Sequence, residues 1–128
     1  MRITLKGVPP SLNKFLGRGS KYAYRKEKES RTALVLAACI EADDKPKAPY
    51  TFALVRIDYY FPDLRRRDPD NYCGKLLMDG LTKAGVIADD DFAHISLALH
   101  GHVDRSNPRT EITVIPMVEW EAGRNAKC

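Results

Sequence analysis

The chain reads as a single α/β domain of the α+β kind, a small mixed β-sheet carrying two helices in the order βαβαββ. Three observations predict it. Apolar residues alternate at a spacing of two in several short segments, two longer stretches repeat at three and four, and 128 residues suffice for one core but not two.

Ile3 and Leu5 open a short first strand, stopped by Gly7 and by Pro9-Pro10, which cannot donate to a ladder. From Tyr24 to Ala42 good helix formers dominate, and Ala33, Leu34, Leu36, Ala37 and Ile40 predict its buried stripe. A polar connection through Pro49 leads to Thr51–Phe61, where Ala53, Val55, Ile57, Tyr59 and Phe61 share a face; this is the expected central strand. Asp70 or Asn71 can cap a second helix running to Lys83, with Gly85 as its stop. Ile95, Leu97 and Leu99 then alternate with Ser96, Ala98 and His100. A turn at Asp104–Pro108 suggests that this strand forms a hairpin with Thr110–Val118. The domain is expected to span 1–118, with a flexible tail over 119–128.

Composition narrows the class. No apolar run approaches the length needed to cross a bilayer, so no membrane partner is expected. The N-terminus breaks at Gly7 and Pro9-Pro10 instead of entering a secretory h-region, which points to the cytoplasm. Cys39, Cys73 and Cys128 are far apart and odd in number, suggesting neither a disulfide framework nor a zinc site. The net charge of +4 is a weak pointer to a polyanion, but its distribution is a better one. Seven basic residues against two acids lie between Lys14 and Arg31, whereas acids gather between Asp63 and Asp91.

The chemistry concentrates in Arg65-Arg66-Arg67-Asp68-Pro69-Asp70-Asn71 and Asp89-Asp90-Asp91. Asp68 and Asp70, two residues apart in extended backbone, project from one side. Clustered carboxylates need a cation to neutralise them, and hard oxygen ligands select Mg²⁺ or Mn²⁺ over zinc. Such an ion lowers the pKa of a bound water and polarises a phosphoryl oxygen, while adjacent arginines offset the acidic field and grip phosphate. The acidic groups meet only if residues 86–91 run back toward Asp68, because a helix of about 13 residues separates its ends by roughly 20 Å. An EF-hand is excluded, since a loop starting at Asp68 puts Cys73 where glycine belongs and Asp79 where glutamate belongs. His94, His100 and His102 lack partners at ligand spacing and read as strand and surface residues.

The composite of Arg65–Asn71, Lys75, Asp79-Gly80-Leu81-Thr82-Lys83-Ala84-Gly85-Val86-Ile87 and Asp89-Asp90, with Val8-Pro9-Pro10-Ser11-Leu12-Asn13-Lys14 upstream, resembles the RusA family of Holliday-junction resolvases. The resemblance implies a homodimeric crossover junction endodeoxyribonuclease of recombination and repair, often carried by phages or prophages, that uses Mg²⁺ to nick a four-way DNA junction in pairs. It also implies that Asp68, Asp70 and Asp90 hold the metal, that Lys75 is the essential nearby cation, and that Ser11, Asn13, Lys14, Arg65, Arg66, Arg67 and Asn71 contact DNA. Either neighbour in the Asp89–Asp91 triplet could replace Asp90. One residue more than the family spacing separates Asn71 from Lys75, so either an irregular turn at Cys73-Gly74 absorbs it or Lys75 points elsewhere. The other readings are a junction-binding protein without activity, and a nuclease for other branched nucleic acid.

Overall fold

The computed structural model describes residues 1–17 and 19–117; the expected tail and the end of the last strand at Val118 lie outside the described residues. Four strands, β1 (Arg2–Lys6), β2 (Ala53–Phe61), β3 (Ile95–Val103) and β4 (Arg109–Pro116), form one mixed sheet in the order β1-β4-β2-β3. β4 runs antiparallel to both β1 and β2, and β3 runs parallel to β2. The helices α1 (Ser20–Glu41) and α2 (Met78–Lys83) complete the α+β domain. None is long and apolar enough to cross a membrane.

The alternation read in β2 is realised. Ala53, Val55, Ile57, Tyr59 and Phe61 are buried and join Ile3, Leu5, Ile112 and Val114 against Val35, Cys39, Leu77 and Leu81 of the helical layer. Burying these side chains contributes roughly 1.5–3 kcal/mol each before the cost of ordering them. The other sheet face is polar, carrying Arg56, Asp58 and Tyr60 of β2 beside Arg109 and Glu111 of β4.

Three expectations need correction. The last two strands are not a hairpin: β2 lies between β3 and β4. The link after β3 passes over the end of β2, where the Asp104 amide donates to the Phe61 carbonyl at 2.8 Å, and a five-residue connection easily steps over two strand spacings of about 4.8 Å each. The buried stripe of α1 is Thr32, Val35 and Cys39, whereas Ala33, Leu34, Ala37 and Ile40 face outward. The contact with α2 selects that face, because a Cβ on Gly80 would stand 2.5 Å from the Val35 Cβ, so only glycine admits the crossing. Finally, the long second helix is broken. A 3₁₀ turn at Pro69–Asn71 gives way to irregular backbone, and α2 begins only at Met78. Gly74 enforces the break: it has φ +84°, and a Cβ there would lie 2.7 Å from Ile57 Cδ1.

Candidate functional site

Beyond the C-terminal end of β2, the chain turns on Asp63. Its carboxylate accepts from the Arg65 amide at 3.0 Å and pairs with Arg67 at 2.9 Å, and these two bonds hold it below the usual carboxylate range. Arg67 also donates to the carbonyls of Asp63 and Arg65 and lies 4.4 Å over the Phe61 ring. It is therefore a fastener of the loop. Arg65 and Arg66 stay exposed, and Arg66 reaches Asp68 at 3.2 Å in an ion pair that water screens.

Asp68 opens the 3₁₀ turn with its backbone, since its carbonyl accepts from the Asn71 amide at 3.0 Å, while its carboxylate makes no capping bond. That leaves the carboxylate facing a cleft of about 380 Å³ lined by Ser11, Asn13, Arg65, Arg66, Arg67, Asp68, Asn71 and Tyr72. Six residues expected to touch DNA are thus brought together from two distant segments, with Asp68 among them. Ser11 positions its own segment by accepting the Asn13 amide at 3.2 Å. Lys14 is exposed on a separate 3₁₀ turn, Leu12–Phe15, outside this cleft, and Asp70 is exposed two residues beyond Asp68.

The backbone turns irregularly at Cys73-Gly74, where Gly74 has a positive φ. Lys75 is exposed and sits 5.8 Å from the Tyr24 ring, and Asp79 pairs with Lys28 at 3.2 Å, tying α2 to α1. Lys75 and Asn71 nevertheless line a common cavity of about 10 Å³ beneath the Pro9-Pro10 segment. That is roughly the room one water needs. Tyr59 lines it too, and its buried hydroxyl has no partner among the described residues; burial pushes this phenol's pKa up.

The second acidic group lies elsewhere. Residues 86–88 are pinned beside the entrance to β2, where the Tyr50 amide donates to Val86 and the Ala88 amide to Tyr50. Asp91 then caps the approach to β3 by accepting the amides of His94 and Ile95. Because β3 runs parallel to β2 with Ile95 beside Ala53, Asp89–Asp91 stand at the N-terminal end of this strand pair. Asp68 stands at the opposite end, sharing a cavity with Phe61, His100 and Gly101. Eight strand steps of about 3.3 Å separate those ends by roughly 26 Å. A single chain does not bring Asp68 and Asp70 to Asp90.

Among the described residues, the group whose ligand atoms lie within 4.8 Å of one another is Asp89, Asp91 and His94. His94 Nδ1 is bonded to Asp91, and Asp89 accepts the Asp90 amide at 2.8 Å; Asp90 is not a member of the group. The reading of His94 as a residue without ligand-spaced partners is corrected by Asp91, three positions earlier. Two carboxylates and an imidazole, largely open to water, fit Mn²⁺ at least as well as the all-oxygen preference of Mg²⁺.

Sequence reasoning also missed a polar network on the open sheet face. Asp58 and Glu111 are directly opposite across β2 and β4 and almost fully buried. Arg56 and His102 bind Asp58, while Arg109 and Arg2 bind Glu111. Burial pushes the Asp58 pKa up, but the bonds from Arg56 and His102 outweigh it and leave the pKa lowered. Glu111 is lowered by its bond from Arg109, then by that from Arg2. Tyr60 is clamped between the Arg109 guanidinium and the His102 ring. Alternating charge in Arg56-Ile57-Asp58 and Arg109-Thr110-Glu111 was the available signal.

Compared with known proteins, the chain matches no family model and no curated sequence.

Proposed function

We propose that the protein is a Mg²⁺-dependent endonuclease that acts as a homodimer on branched DNA and resolves four-way junctions by paired nicks. The cleft that gathers Ser11, Asn13, Arg65, Arg66, Asp68 and Asn71 carries this reading. An exposed carboxylate among phosphate-gripping groups has little structural purpose, and it suits a cation that bridges protein and phosphodiester. Asp68, Asp70 and Asp90 would hold the ion, with Mn²⁺ as an alternative; when bound, it supplies an activated water and a polarised phosphate. Arg65 and Arg66 bind the backbone, and Asn71 orients it. Because Asp90 sits at the far end of β2 and β3 in its own chain, the reading requires two chains arranged antiparallel, the Asp90 end of each beside the Asp68 end of the other. Two-fold symmetry then yields two equivalent sites for two opposed strands. The test is nicking of a synthetic four-way junction by Asp68→Asn/Asp70→Asn, which should lose cleavage but keep binding. Undiminished nicking would sink the assignment.

The distance between the acidic ends also favours a second reading, a junction-binding protein without hydrolytic activity. Wild-type protein that binds junctions in preference to linear duplex, yet leaves them uncut with Mg²⁺ or Mn²⁺, would establish it.

A further inference from the structure

We propose that β3 is the edge along which two copies of this chain pair, antiparallel about a two-fold axis near Leu97, each seating Phe92 in an aromatic pocket of the other. The proposal rests on the homodimer in the function proposed above, and not on its chemistry.

β3 is nine residues long and, among the described residues, bonds only to β2, which leaves one row of its backbone donors and acceptors facing outward. An unblocked edge of that length is a template for another strand. Its exposed apolar side chains mark the same edge. Leu97 and Val103 are partly uncovered, and Phe92, just before the strand, is 96% exposed. A phenylalanine stripped of contacts is a projecting knob.

A matching hole lies at the other end of the strand. A cavity of about 80 Å³ is walled by Tyr59, Phe61, Tyr72 and Leu99, with Arg67 and Asp68 at its rim. This is several times the room one water needs, and its walls are aromatic and aliphatic. Knob and hole at opposite ends of one edge cannot meet within a chain. An antiparallel copy satisfies both, because an isologous contact sets each knob against the partner's hole. With the axis at Leu97, Ile95 stands opposite the partner's Leu99, and Phe92 opposite the partner's His102, beside the pocket. In an antiparallel pair, opposed residues share a face, so Leu97, Ile95 and Leu99 cover one another on the helix-bearing side.

The two ends also differ in charge. Asp89, Asp90 and Asp91 stand at the leading end, whereas the trailing end mixes Asp68 and Asp104 with Arg67, Arg105, His100 and His102. Parallel pairing would set the two acidic loops against each other; antiparallel pairing sets each against the mixed end. The outward stripe of α1, Ala33, Leu34, Ala37 and Ile40, is the competing surface, but among the described residues no such knob and hole accompany it.

The experiment is sedimentation equilibrium of the full chain without DNA or metal. Wild type should be dimeric. Phe92→Glu and Leu97→Lys, both at exposed positions, should each raise the dimer dissociation constant at least about tenfold with an unchanged circular dichroism spectrum. Leu97→Cys, at the axis, should give a disulfide-linked dimer on mild oxidation that wild type, with its native cysteines, does not. A monomeric wild type, dimers indifferent to both charge substitutions, or dimers dissolved instead by Leu34→Glu/Ile40→Glu would each overturn the proposal. Failure of nicking with the dimer intact would count against the nuclease reading alone.

Discussion

The two ends of the β2–β3 pair are built in opposite ways. At the C-terminal end, Asp63 and Arg67 lace the loop to Phe61, Gly74 packs its backbone onto Ile57, and Ser11, Asn13, Arg65, Arg66, Asp68 and Asn71 line a shaped cleft. At the N-terminal end, Asp89–Ala93 is exposed throughout, held by a few backbone bonds, and projects a bare phenylalanine. The first end is a lined recess and the second a projection. If both serve the proposed reaction, the site is complete only when two chains associate, which would tie chemistry to assembly.

The largest expected effect tests whether both ends serve one reaction. Asp90→Asn should reduce junction nicking at least about 100-fold, as should Asp68→Asn, because losing a metal ligand forfeits several kcal/mol of transition-state stabilisation. A large loss from only one of them would mean that the ends act independently. Mixing the two inactive variants should restore one complete site per heterodimer, read as single nicks in place of paired ones.

Stability should separate the ends next. Gly74→Ala places a methyl against Ile57 at positive φ and is expected to cost about 1–3 kcal/mol in chemical denaturation. Phe92→Ser should shift the unfolding of the monomer by no more than about 0.5 kcal/mol. Equal costs would erase the distinction between a fastened end and a projecting one.

Acid unfolding reports on the open face that spans the two ends. The lowered native pKa of Asp58 means that the unfolded chain binds more protons between that value and the ordinary carboxylate value of about 4. The stabilisation is present above about pH 4 and is lost as pH falls through the native value, and Glu111 acts in the same direction. Asp58→Asn should therefore flatten the fall of stability below about pH 4, measured by thermal melts across pH. The smallest effect is expected from Arg66→Ala: a weakening of DNA binding similar for all sequences, with the salt slope reduced by about one.

Much of this was legible in the chain. The face of β2 follows from strict alternation, whereas of the cleft's members only the arginines were singled out by their own chemistry; Ser11, Asn13 and Asn71 came from the resemblance. What escaped depends on partners distant in sequence. The hairpin expected of β3 and β4 failed because alternation identifies strands and says nothing of what lies between them. The α1 stripe failed because two apolar arcs compete on that helix, and Gly80, some forty residues on, decides between them. His94 was passed over for want of a ligand-spaced neighbour, although Asp91 stands one helical turn before it. The break before Lys75 turns on Gly74, whose left-handed backbone cannot be read from glycine alone.

Gly80 has a consequence of another kind. With no side chain between them, α1 and α2 touch at the backbone, and Lys28 and Asp79 brace the crossing. The two helices behave as one strut, with the Lys75 turn at the foot of α2 and Tyr24, which Lys75 overlies, near the start of α1. A pull on the basic first half of α1, such as a nucleic-acid backbone would exert, would therefore be felt at the turn before α2 that carries Lys75.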